Sequence, residues 1–103
     1  MKQLRKVGEI MEFLRELSQI IEERRQNPRP DSYTCTLFAS GEDEILKKIG
    51  EEAIEVILAA KGLGRQRIVE EAGDLIYHLL VMLSLKQIRL EEIEAELRRR
   101  HGG

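Results

Sequence analysis

The stretch GEEAIEVILAAKG, Gly50 to Gly62, sets Glu51, Glu52 and Glu55 in a segment that is otherwise apolar. After fifteen intervening residues, EAGD adds Glu71 and Asp74. On a helical pitch of about 100° per residue, Glu55 lies roughly 40°, Lys48 roughly 60° and Glu52 roughly 100° round from Glu51. These four form one polar stripe. Ile45, Ile49, Ala53 and Val56 flank it on one side, Ile54 and Leu58 on the other. Glu71 and Asp74 are neighbours on a second helical face. His78 joins that face, and Val81, Met82 and Leu85 continue it.

Two antiparallel helices would set Glu52 and Glu55 opposite Glu71 and Asp74. Four carboxylates in a dry groove repel one another, and desolvation pushes their pKa values up. A divalent cation relieves both effects. An all-carboxylate set without thiolate suits a hard ion, Mg²⁺ or Mn²⁺. Mg²⁺ keeps waters and takes phosphate oxygens as further ligands. Lys48 on the stripe, and Lys61, Arg65 and Arg67 around the next turn, are then candidate phosphate contacts. A di-iron centre would need Glu-x-x-His on two helices, and no Glu here has His at the third following position. The plainer alternative is that these acids coat solvated helix faces, as most short charge motifs do.

The elements that must position these groups read as helices, since alternating runs and hairpin signals are missing. The first runs from about Val7 to about Arg25, with Ile10, Phe13, Leu14, Leu17, Ile20 and Ile21 on one face. NPRPDS stops it, because two prolines and their predecessors disfavour helix. Tyr33 to Gly41 reads as a loop packed on helices, since a lone strand would have no partner. The second helix runs from about Glu42 to Lys61, capped by Ser40 or Gly41 and ended by Gly62 and Gly64. The third spans about Arg65 to Lys86. The fourth spans about Leu90 to Arg100, acidic at its start and basic at its end as the dipole prefers. Short connections make consecutive helices antiparallel neighbours.

The 103 residues predict one domain, with net charge −2, four aromatics and no Trp. This argues against a nucleic-acid binder. Cys35 alone allows no internal disulfide and fits a reducing cytoplasm. KQLRKVGEIMEF lacks the apolar run of a signal peptide. LIYHLLVMLSL, Leu75 to Leu85, is too short to cross a bilayer, so no membrane partner is expected. Leu79 to Leu83 cover every side of the third helix, more than a lone four-helix domain buries, which predicts an apolar dimer interface.

EEAIE followed by EAGD resembles the E-E-x-x-E … E-x-x-D signature of the all-α nucleoside-triphosphate pyrophosphohydrolase superfamily, which includes the MazG proteins and the dimeric dUTPases. PDSYTCTLF (Pro30–Phe38), ILKKIGEEAIEVILAAK (Ile45–Lys61) and EEAGDLIYHLLVML (Glu70–Leu83) resemble the phosphoribosyl-ATP pyrophosphatase family of histidine biosynthesis, from about Leu14 to the C-terminus. The resemblance implies a four-helix MazG-like all-α fold, completed by homodimerisation. It implies Mg²⁺-dependent hydrolysis of phosphoribosyl-ATP to phosphoribosyl-AMP and pyrophosphate. The family's metal ligands carry over to Glu52, Glu55, Glu71 and Asp74, with Glu51 as an added ligand or base. Lys48 and Lys61 match positions that meet phosphates.

Either Glu51 or Glu55 can take the proton of the attacking water. Tyr33 and Thr34 are candidate substrate contacts, or simply hold their segment on the helices. His78 reads as a supporting histidine hydrogen-bonded to Asp74, with a catalytic base as the alternative. Gly73 stands where the family leads one to expect Ala, and residues 1–10 form an N-terminal extension without an assigned role. In many organisms this domain is fused to the cyclohydrolase of the next step; here the expectation is a chain acting alone or with a separate cyclohydrolase. The competing functions are a house-cleaning nucleotide pyrophosphohydrolase with another base pocket, and a non-catalytic helical dimerisation module.

Overall fold

The computed structural model describes the backbone of residues 2–102 and the side chains from Glu12 to Gly102. Ile10 and the other side chains of the N-terminal extension lie outside the described residues. The helices are α1 (Lys2–Gln26), α2 (Tyr33–Ser40), α3 (Glu42–Gly62), α4 (Arg65–Leu85) and α5 (Leu90–His101), with no strand among the described residues. The all-α expectation holds, and α1 begins before Val7. It ends where Asn27 N–H donates to Glu23 O at 2.8 Å and Pro28 then has no N–H to offer.

The structure corrects one element. Tyr33 to Gly41, read as a loop, carries the helix α2. Ser32 caps it: its Oγ accepts from Cys35 N–H at 3.2 Å, and its carbonyl accepts from Thr36 N–H at 3.1 Å. Inward-facing contacts complete the reason. Leu37 enters the core, while Cys35 Sγ donates to Arg24 O at 3.4 Å and accepts from Arg29 N–H at 3.2 Å. Cap and burial together override the strand-leaning propensities of Tyr, Thr and Cys. Gly41 then turns the chain into α3 at φ 93°, and Gly64 does the same between α3 and α4 at φ 90°. Both values lie in the region that favours glycine.

α3 and α4 form the tightest pairing, an antiparallel hairpin. Its open end is tied by Lys86 Nζ donating to Glu42 at 2.6 Å. Its closed end is a shallow groove of about 510 Å³ lined by Ala59, Gly62, Arg65 and Ile68. α1 and α2 pack across it. Ile21, Leu37, Ile45, Leu80 and Val81 meet in the core, with Leu14, Leu17, Phe38 and Tyr77 against them. Each of these four helices contributes, so truncating Ile45 to Ala should cost about 2–5 kcal/mol. α5 departs from the expected packing. None of its residues is buried, and it meets the core through Leu90.

The apolar surplus lies elsewhere than expected. Leu80 and Val81 are buried within the chain, and Leu79, Met82 and Leu83 are half-buried. Among the uncovered apolar residues are Ile54, Ile57 and Leu58 on α3 and Val69 and Ile76 on α4, with Ile57 61% exposed. Stepping at the helical pitch puts Ile54 and Ile57 on the side of α3 turned away from Glu52.

A polar link fastens α1 to the end of α4. Arg25 bonds Glu22, Ser84 Oγ donates to Glu22 at 2.6 Å, and Arg25 Nε lies 3.3 Å from Ser84 Oγ. Arg25 first, and Ser84 second, hold the Glu22 carboxyl well below the usual range, to about 2. A depressed folded-state pKa gives stability that is present above the unfolded value and lost as pH falls through the folded one. Thermal unfolding should therefore show Glu22→Gln less stable than the wild type at pH 7, with the gap closing between about pH 5 and pH 2. A gap independent of pH would show that this ion pair adds nothing.

Candidate metal centre

Glu52 projects from the inner face of α3 and Glu71 and Asp74 from consecutive turns of α4. One carboxylate oxygen from each lies within 4.8 Å of the others. Among the described residues this is the one set of three or more ligating side chains that converges. Glu71 is 7% exposed, Glu52 is half-buried and Asp74 is open to solvent. Burial, and next the charge of Asp74, raise the Glu52 pKa, with Glu71 adding to the shift and His78 opposing it. That is the response of carboxylates crowded in a poorly solvated place. The donor set fits a hard divalent cation: oxygen ligands alone, convergent, with one open side.

The supporting groups are specific. His78 is buried, and its Nδ1 donates to the Asp74 backbone carbonyl at 2.8 Å. The expected bond to Asp74 exists, but to the main chain rather than the carboxylate. A carbonyl only accepts, so Nδ1 carries the proton. The same Nδ1 lies 3.8 Å from Glu52 Oε1. Arg67 Nη2 pairs with Glu71 at 2.8 Å, and Nη1 with Glu70 at 3.1 Å. The sequence reading treated Arg67 as a phosphate contact; its i,i+4 spacing to Glu71 is the signal for the pairing found.

Glu51 and Glu55 are exposed and stand outside the convergent set. Glu55 follows Glu52 by one turn, on the same edge of α3. Lys48, half-buried, precedes Glu52 by one turn. Lys61 and Arg65 are at the closed end of the hairpin, about 13 Å and 9 Å along the helices from Glu52 and Glu71 respectively. Within one chain the structure does not gather them at the carboxylates.

α2 brings a second cluster to the same place. Tyr33 stacks on Tyr77 with ring centroids 6.2 Å apart, and both rings meet the His78 ring edge-on. Tyr33 Oη is 3.4 Å from His78 Nε2. Thr34 Oγ1 bonds Tyr77 Oη. Burial pushes the Tyr77 phenol up, against the Thr34 bond. Tyr77 was not singled out in the sequence. Its place before His78 was the available signal.

Among the described residues no helix is long and apolar enough to cross a membrane. A sequence model of the family described as phosphoribosyl-ATP pyrophosphohydrolase matches residues 14–101. The chain is 51% identical over 86 residues to a phosphoribosyl-ATP pyrophosphatase of Bacillus cereus (strain AH820), covering 84% of this chain and 80% of that one. It is 48% identical over 91 residues to the phosphoribosyl-ATP pyrophosphatase of Bacillus mycoides (strain KBAB4), covering 88% and 85%. With convergent acids at the motif positions and a match running through all but the start of α1, the chain belongs to the phosphoribosyl-ATP pyrophosphohydrolase family.

Proposed function

We propose that this chain hydrolyses phosphoribosyl-ATP to phosphoribosyl-AMP and pyrophosphate in histidine biosynthesis, with Mg²⁺, or Mn²⁺ in its place, held by Glu52, Glu71 and Asp74. The observation that carries the reading is the convergence of these three carboxylates at the family's motif. Glu55, one turn from Glu52, would complete the set. When bound, the cation neutralises phosphate charge and stabilises the leaving pyrophosphate.

The chain's own groups do the rest by position and charge. Glu71, inside the hairpin, fixes one wall of the site. His78, fixed by its Nδ1–H bond to the Asp74 carbonyl, supports the site beside the Glu52 carboxylate. Glu51 or Glu55, at the solvent edge, accepts the proton of the water that attacks phosphorus as the bond between the α- and β-phosphates breaks. Lys48 meets phosphate. Lys61 and Arg65 would serve only a substrate that reaches the closed end of the hairpin, or one held between two chains.

The chain works as a homodimer in this reading, in the cytoplasm, and passes its product to a phosphoribosyl-AMP cyclohydrolase. Support for the dimer comes from Ile54, Ile57, Val69 and Ile76, which an isolated chain leaves in water. Gly73 lies between Val69 and Ile76, and a Cβ there would meet nothing within 4 Å. A second helix can approach closely at that point.

Pyrophosphate release with Mg²⁺ should be fast on phosphoribosyl-ATP and slow on ATP and dUTP. Glu71→Gln should lower it by more than the roughly 10- to 100-fold typical of groups that merely support a ligand. Turnover of ATP or dUTP at equal rate would move the chain to the house-cleaning branch, and no turnover at all would leave a helical binding module. Mg²⁺ should also raise the melting temperature of the wild type and not of Glu71→Gln. Sedimentation should show a dimer that Ile57→Lys converts to a monomer; a wild-type monomer at micromolar concentration removes the dimer.

A further inference from the structure

We propose that Tyr33 is the platform on which the purine ring of the substrate stacks, and that His78 is the residue that positions it. The inference rests on the reading above and assigns the part of the site that recognises the nucleoside. Tyr33 is the first residue of α2 and is 55% exposed, although its hydroxyl points inward to a buried histidine. One face of its ring is backed by Tyr77. The other is open. An aromatic ring fixed at its edge and backed on one side is already ordered for stacking, so a ligand ring does not have to immobilise it.

The hydrogen-bond directions show how it is held. Nδ1 of His78 is the donor to the Asp74 carbonyl, so in the neutral ring Nε2 is an acceptor and the Tyr33 hydroxyl donates to it. His78 thus faces the Glu52 carboxylate with one nitrogen and Tyr33 with the other. The ring centroids of Tyr33 and His78 are 6.4 Å apart, which puts the platform within a nucleoside's length of the carboxylates. The Thr34–Tyr77 bond locks the backing ring to the same turn of α2. Carboxylates that hold phosphates and a ring that holds the base then sit on two sides of one imidazole.

The test is calorimetric titration of the Mg²⁺-loaded full chain with phosphoribosyl-AMP, which carries the base, and with inorganic pyrophosphate, which does not. Tyr33→Ala should weaken phosphoribosyl-AMP roughly ten- to hundredfold, the range of base–aromatic stacking, and leave pyrophosphate binding as in the wild type. Tyr33→Phe keeps the ring but loses the bond to His78, and should fall between the wild type and Tyr33→Ala. His78→Asn keeps a donor near the Asp74 carbonyl but cannot reach Tyr33. It should weaken phosphoribosyl-AMP to about the level of Tyr33→Phe. Unchanged phosphoribosyl-AMP affinity in Tyr33→Ala overturns the proposal even if His78→Asn fails to fold. So does equal weakening of both ligands, or a change in sedimentation without a change in affinity, which would place Tyr33 under a second copy. Failure of the wild type to turn over phosphoribosyl-ATP would instead sink the functional reading, and is measured separately.

Discussion

Mutual repulsion among Glu52, Glu71 and Asp74 is the constraint around which the molecule is arranged. Three carboxylates with oxygens inside 4.8 Å are costly wherever water is partly excluded. The hairpin of α3 and α4 forces them together because apolar packing on either side leaves the backbones nowhere else to go. Ile45 and Val81 are completely buried close to the acids along their helices. Arg67 on Glu71 and the Nδ1–H of His78 beside Glu52 lessen the strain without removing it. The site is therefore built as an affinity for positive charge.

α2 shows how a modest element serves that centre. It is eight residues long and would not be stable alone. Its cap at Ser32, the burial of Leu37 and the bonds of Tyr33 and Thr34 to α4 all fix it. The same bonds that stabilise it bring an aromatic face to the carboxylates, so fold and recognition share one set of contacts.

The convergence of Glu52, Glu71 and Asp74 was legible in the sequence because it depends on helical spacing. Glu52, Glu71, Asp74 and His78 follow from i,i+3 and i,i+4 steps on two strongly periodic segments joined by glycines. What depended on direction was not legible. Spacing put His78 next to Asp74, yet only geometry shows that the main-chain carbonyl takes its proton. Glu51, Glu52 and Glu55 look alike on a helical wheel, but only Glu52 turns inward with the α4 acids. Nor does the aliphatic run at Leu79–Leu83 reveal how much of it α1 and α2 cover: Leu80 and Val81 are buried within the chain, while Ile57 on α3 stays exposed. α2 itself was hidden by strand-leaning residues whose helix depends on a serine cap and on burial against distant parts of the chain.

The two halves of the carboxylate cluster are only about twenty residues apart, across a hairpin closed by Leu63 and Gly64. Contacts of such short sequence separation cost little loop-closure entropy. The acids therefore need only the pairing of two consecutive helices to converge. The core, by contrast, draws on Ile21 of α1 and Leu37 of α2 as well, so the covering of apolar surface reaches much farther along the chain than the chemistry does.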